Sequence, residues 1–145
     1  MTARQEPAPE INEGGCLCGA VRYRISGPVD RVGHCHCTMC RRSVGAVAVT
    51  WATVLLTQFE ITRGEPRTHR SSATAKRQFC AGCGASLTFW YERKPEEIDV
   101  SVGTLDHPER HPADHHDWAS EKLPWLHLDE ELPVSAEFTS APSPS

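Results

Sequence analysis

Seven cysteines, arranged in three clusters, are the residues of this sequence with the clearest chemistry. The clusters have CxC, CxCxxC and CxxC spacing, and their members are Cys16 and Cys18, then Cys35, Cys37 and Cys40, then Cys80 and Cys83. In a thiolate zinc site each sulfur lies about 2.3 Å from the metal, so neighbouring sulfurs converge to roughly 3.8 Å. Cysteines one or two residues apart reach this spacing if the backbone turns tightly, which glycine allows.

The first and last clusters are rich in glycine, in the segments GGCLCG and CAGCG. Each cluster offers two thiolates, and together they complete a closed four-sulfur zinc site at Cys16, Cys18, Cys80 and Cys83. The alternatives are free or redox-active thiols, or an iron–sulfur cluster, for which the short ferredoxin spacings are absent. The closed site would join the first strand to a segment more than sixty residues later. We therefore predict a structural zinc whose loss unfolds much of the domain.

The middle cluster places three thiols within six residues, at Cys35, Cys37 and Cys40. Three protein ligands leave one coordination position free, as in catalytic zinc sites. His34 or His36 could instead complete a second structural site. If Cys35 and Cys37 point the same way, however, His36 points the opposite way. The residues alone leave both interpretations open.

Cations are expected near the middle cluster, because three thiolates on Zn²⁺ leave a net charge of roughly −1 and a thiolate substrate would add another. Arg41 and Arg42 follow Cys40 directly, and Lys76 and Arg77 are further candidates. For two adjacent arginines the alternative is an ordinary solvated surface pair. We predict that Arg41 and Arg42 hold this charge or the carboxylates of a ligand.

The elements that position these cysteines are predicted to be mostly strands. Apolar residues alternate with polar ones over 21–25, 87–91 and 98–102, and residues 46–51 form a small apolar run typical of a buried strand. A helix is predicted only over residues 38–43 and around 108–111. With 10 Gly and 11 Pro in turn-like segments, the pattern favours a β domain.

Length and composition limit the classes of function. The 145 residues predict one domain over 13–138, with disordered polar tails at 1–12 and 139–145. The net charge of −4 argues against nucleic acid or an anionic membrane as partner, and the sequence contains no run of about 20 apolar residues. Without a secretion signal, we expect the cytoplasm, where thiols stay reduced.

The histidines between residues 107 and 127 give a weaker signal. They lie in a stretch rich in Pro and charged residues, which does not favour the helical i, i+4 pairing of a hydrolytic zinc site, and we interpret most of them as surface residues. They are His107, His111, His115, His116 and His127.

The segments GGCLCGAVRY, GHCHCTMCRR, KRQFCAGCGASL, VSVGTLD and SEKLPW occur in an order that resembles the glutathione-dependent formaldehyde-activating enzyme family, which includes centromere protein V. The resemblance covers about Gly14 to Leu128. It implies an Mss4-like β-tent of antiparallel sheets pinned by zinc. The structural zinc would be held by Cys16, Cys18, Cys80 and Cys83. The catalytic zinc, which is not necessarily always bound, would be held by Cys35, Cys37 and Cys40.

The resemblance also implies a reaction, the condensation of glutathione with formaldehyde to S-hydroxymethylglutathione, formally a carbon–sulfur lyase run in reverse. Glutathione would be the co-substrate and a small aldehyde the second partner. Two alternatives remain: a related zinc enzyme acting on another aldehyde or thiol adduct, and a non-catalytic zinc module that binds a macromolecule. The second predicts a basic patch or extension, against which the negative net charge argues.

Overall fold

The computed structural model describes residues 10–137, so residues 1–9 and 138–145, which include most of the two predicted tails, lie outside it. Ile11 and Asn12, which the composition placed in the amino-terminal tail, lie in the first strand. Ile11 pairs with Ser26, and the buried side chain of Asn12 lies 2.9 Å from His111. No helix of the described residues is long and apolar enough to cross a membrane.

Residues 10–137 form ten strands and one α-helix, α1 (Thr38–Val44). The strands are β1 (Ile11–Gly15), β2 (Arg22–Ser26), β3 (Arg31–Cys35), β4 (Val49–Leu55), β5 (Phe59–Arg63), β6 (Arg67–Arg70), β7 (Ala75–Phe79), β8 (Ser86–Tyr91), β9 (Glu97–Ser101) and β10 (His115–Asp117). The small sheet has the order β1-β2-β5, and the large sheet has the order β10-β3-β4-β9-β8-β7-β6. All pairs are antiparallel except β10 with β3. The predicted mainly β fold is confirmed.

The two faces of the large sheet have different environments, because successive side chains of a strand point to opposite faces. One face packs against the small sheet, where Tyr23 and Ile25 are fully buried beside Ala52, Ile98 and Val100. Burying each large apolar side chain contributes roughly 1.5–3 kcal/mol, so this layer is the main core.

The other face carries a row of directly opposed residues across five strands. The register aligns Arg31 with Thr53, Thr53 with Asp99, Asp99 with Phe89, and Phe89 with Arg77. Residues opposed in this way project to the same face of a sheet. Four of the five residues in this cross-strand row are polar or charged, and the row lies opposite the core, so it can face solvent or a cavity.

Helix α1 confirms the helix predicted after the middle cysteines. Its N-cap is Cys37, whose sulfur accepts the amide of Cys40 at 3.2 Å, and it ends at Gly45 in the left-handed conformation, φ 75°. The strand predicted over 46–51 begins only at Val49. The amides of Gly45 and Ala46 both donate to the carbonyl of Arg41. These residues therefore belong to the C-terminal cap of α1, and the strand can begin only after them.

Candidate metal centres and the adjoining cavity

The first and last cysteine clusters meet at one end of the core. The sulfur atoms of Cys16, Cys18, Cys80 and Cys83 all lie within 4.8 Å of one another. The Sγ of Cys18 lies 3.6 Å from that of Cys16 and 3.7 Å from that of Cys80. This is close to the roughly 3.8 Å expected between thiolates that share one zinc. The structure therefore brings together all four residues predicted for the closed site.

Tight turns hold these four sulfurs. Gly19 and Gly84 both have φ of 78°, a conformation that glycine adopts without steric cost, and the Gly84 amide donates to the carbonyl of Cys80 at 2.7 Å. The amide of Val21 donates to the sulfur of Cys16 at 3.2 Å. The Ala85 amide contributes most to lowering the pKa of Cys83, to about 6. Four thiols with this support fit a tetrahedral Zn²⁺ site.

The middle cluster forms a second group of sulfurs, in which Cys35, Cys37 and Cys40 lie within 4.8 Å of one another. Cys35 ends β3, Cys37 caps α1, and Cys40 lies on the helix. Cys35 and Cys40 are only 3% and 4% exposed. Hydrogen bonds with the Cys35 and Cys37 thiols lower the pKa of Cys40 to about 2, whereas hydrogen bonds with Cys37 and Cys40 raise the pKa of Cys35, so the cluster favours one thiolate at Cys40. Thiolate is the form in which cysteine binds metals.

Neither histidine considered for the fourth position belongs to this three-cysteine cluster. His36 is fully buried and its Nε2 lies 2.8 Å from Nδ1 of His116. His34 lies 2.8 Å from Thr50 Oγ1 and 2.7 Å from Asp129 Oδ2. Within residues 10–137, the metal-binding group here consists of three sulfurs alone. Both histidines instead connect the segment around Cys35 to neighbouring strands, His34 to β4 and His36 to β10.

The interpretation of the later histidines as mostly surface residues is wrong, because His111, His115 and His116 are all at most 9% exposed. Strand β10 pairs in parallel with β3, which buries His115 and His116 against the segment that carries Cys35. The remaining two, His107 and His127, are exposed. The sequence offered one signal, the flanking of His115 by Asp114 and Asp117, and both carboxylates contact its ring.

A cavity of about 370 Å³ adjoins the three-cysteine cluster. The cross-strand row of the large sheet forms one of its walls, and all five residues of that row line it. Trp51 and Trp118 add aromatic surface beside Phe89. Ligand pockets are typically about 300–1,000 Å³ and mostly apolar with a few polar groups, so this cavity has the size and lining of a small-molecule site.

Arg77 connects the cavity to the three-cysteine cluster. Its side chain is buried, 4% exposed, and its Nη2 lies 3.5 Å from the sulfur of Cys40. The guanidinium lies over the ring of Phe89 at 4.6 Å from the centroid. Its Nε and Nη1 atoms have no hydrogen-bond partner among the described residues. Arg77 is therefore a buried cation that donates a hydrogen bond to a sulfur of the cluster.

Arg77 was only a further candidate from the sequence, and the two arginines predicted to hold this charge, Arg41 and Arg42, lie elsewhere. Arg41 directs its guanidinium to the carbonyl of His36 at 3.3 Å and to the hydroxyl of Thr38 at 3.2 Å. Arg42 is exposed, and neither residue is among those that line the cavity. Lys76 packs over Trp90 on the opposite face of the sheet. Their role in holding a ligand stays a prediction.

Asp99, which no motif of the sequence singles out, lies in the middle of the cavity wall. The hydroxyl of Thr53 donates to Asp99 Oδ1 at 2.5 Å. Burial raises the pKa of Asp99 to about 6. The alternation of Ile98 and Val100 indicated that Asp99 faces away from the core, but the sequence could not show what it faces.

Gly33 gives a test of the packing behind the cavity. A Cβ added to Gly33 would lie 2.3 Å from Nε2 of His115, so Gly33→Ala must displace that buried ring or strand β10. Overpacking of this kind costs about 1–3 kcal/mol. We expect the free energy of unfolding, measured with denaturant on the metal-loaded protein, to fall by about 2 kcal/mol. Gly103→Ala is the matched control, since nothing lies within 4 Å of a Cβ there. Equal loss in both variants would contradict the packing argument.

These features define a mainly β protein with two cysteine groups able to hold metal ions, one of them beside a cavity. The chain belongs to the glutathione-dependent formaldehyde-activating enzyme family, whose profile matches residues 11–121. It is 25% identical over 126 residues to a Halomonas elongata protein provisionally named as such an enzyme, covering 81% of this chain and 80% of that protein.

Two further proteins are similar to this chain. An uncharacterised lyase of Schizosaccharomyces pombe is 29% identical over 86 residues, which cover 54% of this chain and 57% of the yeast protein. A structural-genomics crystal structure of a Rhodobacter sphaeroides protein has the same fold, with a TM-score of 0.55 and 24% identity. That match covers 85% of this chain and 99% of the other.

Proposed function

We propose that this protein is a zinc-dependent carbon–sulfur lyase that joins the thiol of glutathione to an aldehyde and cleaves the same bond. The observation that carries the proposal is the three-cysteine cluster, which has no fourth protein ligand among residues 10–137 and adjoins a cavity of about 370 Å³. Family membership and the names of the relatives support this type of chemistry.

Zinc held by Cys35, Cys37 and Cys40 would act as a Lewis acid that keeps a substrate thiol ionised at neutral pH. The protein contributes position and charge. Arg77 places a buried positive charge 3.5 Å from the sulfur of Cys40, where it offsets the negative charge of the cluster. Trp51 and Phe89 restrict water around the reacting atoms, which strengthens these interactions. The other zinc, at Cys16, Cys18, Cys80 and Cys83, has a structural role in this proposal.

The charges at the cavity suit a zwitterionic peptide such as glutathione, which carries two carboxylates and one ammonium group. Arg31 and Lys94 line the cavity together with Asp117 and Glu121, so charges of both signs line it. Arg41 and Arg42 stay proposed as contacts for the peptide carboxylates outside the cavity.

The proposal is tested by calorimetric titration of zinc-loaded protein with glutathione, comparing wild type with Cys37→Ser. Because zinc bound by fewer thiolates is held less tightly, we expect the variant to contain one zinc per chain instead of two. We expect its affinity for glutathione to fall at least about tenfold, equivalent to about 1.4 kcal/mol.

The control ligand is S-methylglutathione, which keeps the peptide but cannot present a thiolate. It should bind weakly and equally to both proteins. Equal affinity of wild type and Cys37→Ser for glutathione would contradict the role of this cluster. Since formaldehyde adds to glutathione without help, catalysis is measured by exchange NMR as a rate above the uncatalysed background.

A second candidate is the same chemistry on a larger aldehyde or thiol adduct. It is favoured by the aromatic lining of the cavity, formed by Trp51, Phe89, Tyr91 and Trp118, which is more than formaldehyde requires. A screen of aldehydes of increasing size against glutathione separates the two candidates.

The reaction needs reduced cysteines, and all seven are free, so we propose the cytoplasm as the compartment.

A further inference from the structure

Asp99 occupies the centre of the cavity wall. Within the cross-strand row it lies directly opposite Thr53 on β4 and Phe89 on β8. Its own strand neighbours, Ile98 and Val100, point into the core, so the carboxylate points to the cavity. The row therefore places one carboxyl group at the middle of the surface that a substrate would touch.

The contacts of Asp99 are few for a half-buried acid. Thr53 donates to Oδ1, and no described residue donates to Oδ2. Arg31, the nearest cation in the row, is already engaged by Glu97 at 2.8 Å and by Asp30. Asp99 forms no ion pair within 4.0 Å among the described residues. The Oδ2 atom of this half-buried carboxyl group is therefore accessible to a ligand in the cavity.

The surroundings of Asp99 give it a pKa at which both the carboxylic acid and the carboxylate form are accessible. Burial raises the pKa of Asp99 to about 6, and Glu97 on the same strand and Cys40 on α1 act in the same direction. The Thr53 hydroxyl and Arg31 on β3 oppose them. The remaining charged group of the row is Arg77, at its far end on β7. The carboxyl group and the three cysteines of the cluster line the same cavity.

We propose that Asp99 is the catalytic acid and base of the thiol–aldehyde reaction, transferring a proton to and from the aldehyde oxygen. In condensation, the electron pair of the substrate thiolate forms the C–S bond while the C=O π pair moves to oxygen, which takes the proton of Asp99. The resulting carboxylate regains a proton equivalent to the one that the thiol lost on ionisation. In cleavage, the carboxylate takes the hydroxyl proton while the C–S pair returns to sulfur. The sum is thiol plus aldehyde giving hydroxymethyl thioether, with no other reactant.

This inference rests on the proposed function, and the test separates the two. Cleavage of S-hydroxymethylglutathione by zinc-loaded protein is followed between pH 5 and pH 8. Cleavage needs the carboxylate form, so wild-type kcat should rise as the pH passes through about 6 and then level off. Asp99→Asn, which still accepts the Thr53 hydroxyl, should lower kcat roughly 100-fold, change KM by less than about threefold, and abolish this rise.

Two further variants make the result specific. Glu60→Gln removes an exposed carboxylate from β5, outside the cavity, and should keep both the rate, within about threefold, and the pH dependence, since only Asp99 is assigned the proton transfer. Asp99→Ala leaves space for a small acid, and added formate should restore activity in proportion to its concentration. Wild-type protein with no rate above background would overturn the proposed function. An active wild type with an equally active Asp99→Asn, an unchanged pH profile, or no rescue by formate would overturn the role of Asp99 alone.

Discussion

Replacing Cys80 by serine is expected to unfold most of the domain under conditions in which the wild type is folded. Cys80 is 2% exposed, and its sulfur lies 3.7 Å from that of Cys18, sixty-two positions earlier in the chain. The four-cysteine group links the β1–β2 turn to the β7–β8 turn, and thus one sheet to the other. Structural zinc contributes about 10–16 kcal/mol of apparent binding energy in small domains.

The expected loss is large because the net stability of a domain is only about 5–15 kcal/mol. Removing one ligand from the four-cysteine site weakens zinc binding and thereby removes a sizeable part of this net stability. Far-ultraviolet circular dichroism and the amide spectrum by NMR would report the unfolding, and a strong zinc chelator added to wild type should produce the same state.

Cys37→Ser is the matched control for this prediction. It removes one thiol from the cluster at the cavity, which connects only β3 and α1 and leaves the contacts between the sheets intact. We expect this variant to keep its folded spectrum while it loses the zinc at the cavity and ligand binding. A Cys80→Ser protein that melts within a few degrees of wild type would contradict the structural role of the four-cysteine group.

The cysteine clusters that could bind metal were predictable from the sequence because each pair of ligands lies within a few residues of one another. Spacing and glycine content bring Cys16 and Cys18 together whatever the rest of the chain does, and the same holds for Cys80 and Cys83. The alternation of Tyr23 and Ile25 likewise predicted a strand with one buried face, since period-two patterning needs no knowledge of the partner strand.

The cavity wall could not be predicted, because strand register is a property of the whole sheet. Arg77 and Asp99 lie in one row only because β7, β8 and β9 pair with particular offsets, which include a bulge between Gln78 and Phe79. A shift of one residue would turn Arg77 toward the core face. Sequence proximity favoured Arg41 and Arg42 as cations for the cluster, whereas Arg77 reaches Cys40 across 37 positions.

Arg77→Met is expected to weaken glutathione binding by about 30- to 100-fold, equivalent to roughly 2–3 kcal/mol. Two unit charges about 4 Å apart interact by about 4 kcal/mol at the effective dielectric constant typical of partly buried pairs, and solvent and relaxation reduce this value. Removing the guanidinium 3.5 Å from Cys40 takes away the buried cation that offsets the thiolates, so a further thiolate becomes harder to bind.

The fold should tolerate this change. Methionine keeps the apolar stem that lies over Phe89, and replacing a buried charge by an apolar group of similar volume is often neutral or stabilising. The free energy of unfolding of Arg77→Met should therefore stay within about 1 kcal/mol of wild type while its thiol affinity falls. Arg77→Lys keeps the charge but not the planar guanidinium, and it should recover part of the affinity.

Arg42→Met is the informative comparison, because Arg42 is exposed and was assigned to the ligand from its place beside Cys40 in the sequence. Calorimetric titration of the two zinc-loaded variants with glutathione measures both assignments at once. A loss confined to Arg77→Met places the charge that holds the thiolate in the wall of the cavity. A loss of affinity confined to Arg42→Met would contradict that placement. It would indicate that the ligand binds on the outer side of α1, out of reach of the cavity residues, including Asp99.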